Sequence, residues 1–295
     1  MKHIYSGTGV ALVTPFRKDG SVDFNALHKL VNHVIDGGVD FLVVMGTTAE
    51  AVTLNKDEKN AVINYIKEVN NKRLPIILGM GGNNTQEVVS SIKYTDFTDI
   101  SGILSVAPYY NKPGQSGLYK HFKEIATVSP VNVVLYNVPG RTASNISAET
   151  CLKLAHDFEN IVAVKEASAN FDQIMQIIKN KPENFAVISG DDALTLPLIS
   201  VGMNGVISVT ANAFPKEMSE MVSNASKSNM KKAGELHYKL LDFTNAIFEE
   251  GNPAGVKAAL EYLNILSNNL RLPLTKVSRT LNKKIENLVN EIIQN

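Results

Sequence analysis

Eight short apolar runs lie between Gly9 and Val209, separated by longer amphipathic stretches, and this alternation constrains the chain more than any other feature. The runs are Gly9–Val13, Phe41–Val44, Pro75–Leu78, Ile100–Val106, Val131–Tyr136, Ile161–Val164, Phe185–Ile188 and Gly205–Val209. Each is rich in Val, Ile or Leu and short enough to be a strand buried on both faces, as parallel strands are. The stretches between them carry helix-start signals. Asn55 with Glu58 three residues later has the form of a capping box, Ser147 precedes Ala148–Leu154, and Asp23 can cap Phe24–Ile35 ahead of Gly37-Gly38. Strict strand–helix alternation through eight units predicts an α/β fold closed as a (β/α)8 TIM barrel. A doubly wound open sheet would offer a Gly-rich phosphate loop after its first strand. Here that strand runs into Thr14-Pro15-Phe16-Arg17 instead.

From Pro215 the strand pattern stops. The tail is helical, interrupted at Asn252-Pro253 and Arg271-Leu272-Pro273, and amounts to two or three helices beyond the barrel. The expected division is a catalytic barrel over 1–224 and a C-terminal helical domain over 225–295. The 295 residues include 29 basic and 29 acidic side chains, so no net field points to nucleic acid or to an acidic membrane. Cys151 is the one cysteine, which excludes an internal disulfide and any CxxC metal or redox motif. Met1–Tyr5 lacks an apolar signal core, and no run reaches the roughly 18 apolar residues of a membrane helix. A cytoplasmic protein is expected.

In a barrel of this kind the chemistry sits where the strands end. Lys165 directly follows Ile161-Val162-Ala163-Val164, which places an amine at the mouth of an apolar barrel. Desolvation there favours a neutral amine, and a neutral amine attacks a ketone to form an imine. The competing reading is a structural lysine paired with Glu166 or reaching solvent. Strand alternation sends Glu166 to the opposite face, which makes it a poor partner. Tyr136 ends the preceding strand and can relay protons; it can equally be an amphipathic rim residue. Thr47 and Thr48 follow the second strand, as relay hydroxyls or as an ordinary turn. Arg141, just past Tyr136, has the planar fork that suits a carboxylate, or a surface ion pair. An amine, hydroxyl relays and an anion clamp on one rim make a site for carbonyl chemistry on a small carboxylate. No metal is expected, because the six histidines form neither HxH nor HExxH.

Six stretches in order, GTTAE at 46–50, APYYNKP at 107–113, YNVPGRT at 136–142, VKEAS at 164–168, SGDD at 189–192 and GVISVTAN at 205–212, resemble the dihydrodipicolinate synthase family. That family lies in the pyruvate-dependent class I aldolase superfamily, with N-acetylneuraminate lyase. The resemblance runs from Gly9 to Pro273. It implies a 4-hydroxy-tetrahydrodipicolinate synthase activity of lysine biosynthesis, in which pyruvate forms an imine on Lys165 and condenses with L-aspartate 4-semialdehyde. Tyr136, Thr47 and a neighbouring subunit's Tyr110 would form the proton relay. Arg141 would hold the semialdehyde carboxylate, and Thr48 with the backbone of Gly190 and Ile207 would help bind pyruvate. The resemblance implies no separate cofactor and at least a homodimer, with a dimer of dimers common in the family. A sialic-acid lyase or keto-sugar acid aldolase is the superfamily alternative, against which Arg141 argues.

Two departures stand out. The family's usual GTTGE is GTTAE, so the backbone at Ala49 is expected not to need positive φ. Lysine-sensitive members bind the inhibitor through residues matching Ala51, Lys56, Lys59, Asn83, Glu87 and Tyr109, and commonly have histidine where Lys56 and Lys59 stand. Like charges about 4 Å apart repel by roughly 1 kcal/mol even in water. Weak or absent feedback by lysine is therefore expected.

Overall fold

The computed structural model describes His3–Gln294. The expectations that touch Met1, Lys2 and Asn295 lie outside the described residues. Among the described residues eight strands form: β1 (Gly7–Ala11), β2 (Phe41–Val44), β3 (Ile76–Gly79), β4 (Gly102–Val106), β5 (Asn132–Asn137), β6 (Ile161–Glu166), β7 (Ala186–Ser189) and β8 (Gly205–Ser208). They close into a barrel in chain order. Every expected run becomes a strand, with ends shifted by two residues at most. Burial on both faces explains why these segments read as continuous apolar runs, as Phe41-Leu42-Val43-Val44 does. The one shift that matters is at β6, which runs on to include Lys165 and Glu166 in the strand.

Twelve helices among the described residues accompany the strands: α1 (Phe24–Asp36), α2 (Lys56–Asn70), α3 (Thr85–Lys93), α4 (Gln115–Val128), α5 (Pro139–Thr142), α6 (Ala148–Asp157), α7 (Phe171–Asn180), α8 (Thr195–Ser200), α9 (Pro215–Ser226), α10 (Met230–Glu249), α11 (Ala254–Tyr262) and α12 (Arg279–Gln294). The start signals act as expected. Asp23 accepts from the Ala26 N–H, Ser147 accepts from the Thr150 N–H, and Asn55 and Glu58 form a reciprocal capping box. The chain breaks at Asn252-Pro253 and Leu272-Pro273, where three helices beyond α9 are set apart.

By internal packing the chain divides into two compact units. One comprises Pro75–Ile207 with the N-terminal residues through Ser6; the other comprises Gly7–Leu74 with Ser208–Asn295. In the first, the Tyr5 hydroxyl donates to the Ser101 carbonyl at 2.6 Å. A Cβ on Gly102 would stand 2.5 Å from the Tyr5 oxygen and 2.9 Å from the Asn132 carbonyl oxygen, so only glycine fits there. In the second, Asn212 joins the turn after β8 to the end of β1, donating to the Ala11 carbonyl at 2.8 Å and accepting from the Val13 N–H at 3.2 Å. The packing does not divide the chain at residue 224. Helices α10–α12 belong to the same unit as β1 and β2, because α10 lies along α9 and because Lys257 and Arg271 are anchored on Glu50 and Glu58.

His121 on α4 is buried beside α3, with Thr85 Oγ1 2.9 Å from Nδ1 and no partner at Nε2 among the described residues. Burial pushes its pKa down to about 4 from 6.5. Protonation therefore favours the unfolded chain, and the stability tied to neutral His121 is complete above pH 6.5 and lost as pH falls toward 4. The thermal midpoint should drop over that window in the native sequence and drop less in a His121→Gln variant. Parallel pH profiles for the two proteins would refute this account.

Candidate active site

The site is organised by the register of two neighbouring strands. β5 and β6 pair in parallel with Tyr136 opposite Lys165 and Asn137 opposite Glu166. Since successive side chains point to opposite faces, Tyr136 and Lys165 share one face, while Asn137 and Glu166 share the other. Lys165 is 5% exposed, and its Nζ lies 4.5 Å from the centroid of the Tyr136 ring. Among the described residues this amine has no hydrogen-bond or ion-pair partner. Glu166 is not that partner: its oxygens accept from Asn137 Nδ2, the Ser168 N–H and Gln173 Nε2. The reading of Lys165 as a lysine paired with Glu166 is therefore excluded.

Gly190 follows β7 and lies directly against the lysine. A Cβ there would come within 2.9 Å of Lys165 Cε and 2.7 Å of Ala167 Cβ, so any side chain would displace the amine's stem. The Gly190 N–H donates to the Glu166 carbonyl at 2.8 Å. Ile207 is buried within β8. Arg141 stands in α5, exposed, and its guanidinium has no partner among the described residues. That leaves the cation available to an anion and removes the surface ion pair. Tyr110 lies past β4 with φ 72° and is 88% exposed. The preceding Tyr109 is held through its carbonyl by Asn83 Nδ2 at 3.2 Å.

In the second unit, Thr47 and Thr48 open a 3-10 turn, Thr47–Ala49, directly after β2. Thr47 is exposed, whereas Thr48 is buried and its hydroxyl accepts from Asn252 Nδ2 at 2.9 Å. Ala49 does not adopt positive φ; the left-handed residues are Met45 and Glu50, at φ 59° and 53°. Glu50 is a residue to which the sequence reading assigned no role. Its carboxylate, with no exposed side-chain surface, pairs with the equally buried Lys257 on α11 and accepts from the Arg271 N–H at 3.0 Å. Lys257 lies 4.3 Å from the Phe16 ring centroid and donates to the Asn269 carbonyl at 2.9 Å. Burial pushes its pKa down to about 8 against the opposing pull of Glu50. A signal was present: Lys257 interrupts the apolar run Ala254-Gly255-Val256 and Ala258-Ala259-Leu260. Among the described residues no group of three or more His, Cys, Asp or Glu side chains could hold a metal ion.

A parallel barrel with an unpaired, buried lysine against a tyrosine ring at the ends of adjacent strands has the arrangement that imine chemistry in a barrel calls for. Residues 5–292 match the model of the dihydrodipicolinate synthetase family. A 4-hydroxy-tetrahydrodipicolinate synthase of Flavobacterium psychrophilum is 54% identical, with 96% of each chain aligned. One from Phocaeicola vulgatus is 50% identical over 97% of this chain and 96% of its own. Among solved structures, the dihydrodipicolinate synthase of Thermotoga maritima superposes with a TM-score of 0.96 at 38% identity, covering 98% of this chain and 99% of that one. A monomeric dihydrodipicolinate synthase variant gives 0.95 at 38% identity, covering 98% and 97%. The chain belongs to the dihydrodipicolinate synthetase family.

The Glu50–Lys257 pair generates a stability prediction. Lys257→Ala leaves a carboxylate buried without its cation, which should cost about 3–5 kcal/mol in chemical denaturation. A loss below about 1 kcal/mol, the range of an exposed pair, would show that the pair is not sealed from water.

Proposed function

We propose that this chain condenses pyruvate with L-aspartate 4-semialdehyde as a 4-hydroxy-tetrahydrodipicolinate synthase, with Lys165 as the imine-forming residue. The observation that carries the assignment of Lys165 is its unpaired amine, buried against the Tyr136 ring. The Lys165 amine attacks the ketone carbon of pyruvate, and the carbinolamine loses water to give the imine. Loss of a methyl proton gives the enamine, whose carbon attacks the aldehyde. The amino group of the bound semialdehyde portion then displaces Lys165 by transimination and closes the ring. Tyr136, Thr47 and Tyr110 from a second copy move the protons. Arg141 holds the semialdehyde carboxylate, a role supported by its unpartnered guanidinium. Thr48 and the backbone at Gly190 and Ile207 bind pyruvate. The imine is itself the electron sink, so the reaction needs no separate cofactor.

The exposure of Tyr110 supports an assembly of at least two copies, in which this side chain completes a neighbour's site. Whether two such dimers pair into a tetramer is read directly from sedimentation. No helix among the described residues is long and apolar enough to cross a membrane, which is consistent with the proposed cytoplasmic location. A sialic-acid lyase or keto-sugar acid aldolase is not favoured, given the names of the relatives and the free Arg141. Lys56 and Lys59 stand in the first turn of α2, and the sequence resemblance implies that they replace histidines of the inhibitory lysine site. Two added ammonium groups oppose binding of a cationic amino acid.

Turnover of the two substrates by the native protein should disappear in Lys165→Ala. Tyr136→Phe should lower kcat by about a hundredfold, the scale of a lost proton relay. Borohydride with pyruvate alone should trap an adduct on the native chain; its absence would reject the imine assignment. Millimolar lysine should slow the rate little or not at all, and marked inhibition would overturn the reading of Lys56 and Lys59.

A further inference from the structure

Behind the reactive pair, on the opposite face of β5 and β6, lies a closed network of four side chains that the proposed reaction does not use. Asn137 is fully buried and Glu166 is 1% exposed. Asn137 Nδ2 donates to both Glu166 oxygens, at 3.1 and 3.0 Å, and to Asn145 Oδ1 at 2.8 Å. Its own Oδ1 accepts from the Ile146 N–H at 2.9 Å. Glu166 also accepts from the Ser168 N–H at 2.8 Å and from Gln173 Nε2 at 3.0 Å. Gln173 Oε1 closes the circuit by accepting from Asn145 Nδ2 at 2.8 Å. Every partner of this buried carboxylate is a neutral donor, and among the described residues it meets no cation.

The circuit holds three pieces of backbone that matter to the site. Asn145 and Ile146 end the segment that carries Arg141. Ser168 lies just beyond Lys165 on the same stretch of chain, and the Glu166 carbonyl holds the Gly190 N–H. We infer that Glu166 and Asn137 are positioning residues, which set the Arg141 segment relative to the imine-forming lysine and so govern capture of the second substrate's carboxylate. This rests on the reading of Lys165 and Arg141 given above. The chemistry favours a carboxylate at 166 because one acceptor group must satisfy three donors. A glutamine there would turn an NH2 toward donors, whichever way it is flipped, and a buried donor left unsatisfied is costly.

The test is Glu166→Gln, alone and combined with Gln173→Glu. The double variant restores a carboxylate to the circuit and lets the amide introduced at position 166 donate to it. In the single variant KM for aspartate semialdehyde should rise about tenfold or more, while borohydride trapping of pyruvate stays near the native level. The double variant should recover most of that KM. Unchanged KM in a folded Glu166→Gln protein would overturn the proposal. So would equal losses of pyruvate trapping and of thermal stability that the double variant does not reverse, since these mark a merely structural role. If the native chain itself traps no pyruvate, the imine reading has failed, and this inference falls with it.

Discussion

The parallel register of β5 against β6 is the constraint on which the rest of the site depends. It sets Tyr136 beside Lys165 on one face and Asn137 beside Glu166 on the other. A slip of one residue in β6 would bring either Glu166 opposite Tyr136 or Lys165 opposite Asn137, and either slip would turn the lysine to the other face. The two faces are therefore not independent. Asn137 binding both oxygens of Glu166 is a lock on the register that keeps the lysine next to the tyrosine.

A second buried charge plays a comparable part after β2. Glu50 sits in a left-handed conformation at the end of the threonine turn, paired with Lys257 and with the Arg271 N–H. Asn252 adds a hydrogen bond to the Thr48 hydroxyl. The helical tail is thus bound into its compact unit through the loop that bears Thr47 and Thr48. Removing one partner from a buried pair costs much more than removing a surface pair, so these contacts couple the loop's geometry to the tail.

Both charged groups are handled by saturation rather than by exposure. Glu166 is satisfied by amides alone, and Glu50 by an ammonium and a backbone N–H. Lys165 contrasts with both: it is nearly as buried, yet its amine has no partner among the described residues. A buried group left unsatisfied among well-satisfied neighbours marks where a reaction is expected, since the free energy of pairing is left to the substrate.

How much of this was legible beforehand follows from the range of the interactions. The eight strands, the capping box at Asn55 and Glu58, and the placement of Lys165 at a strand end are local patterns, set by pleat alternation, helical period and neighbouring side chains. The positive-φ question at Ala49 was answered from residue type alone. Tertiary structure decided what depends on residues far apart in sequence. The Lys257–Glu50 pair spans 207 positions, and the circuit through Asn145 and Gln173 closes only when the loop before α6 meets the first turn of α7. The grouping of the tail with β1 and β2 was equally invisible, because it rests on those long-range ion pairs rather than on any change in composition. By itself the sequence determined the barrel, the strand-end position of Lys165 and the family. Only the fold decided which buried charges were paired and which was left free, because pairing is a matter of distance in space and periodicity reports only distance along the chain.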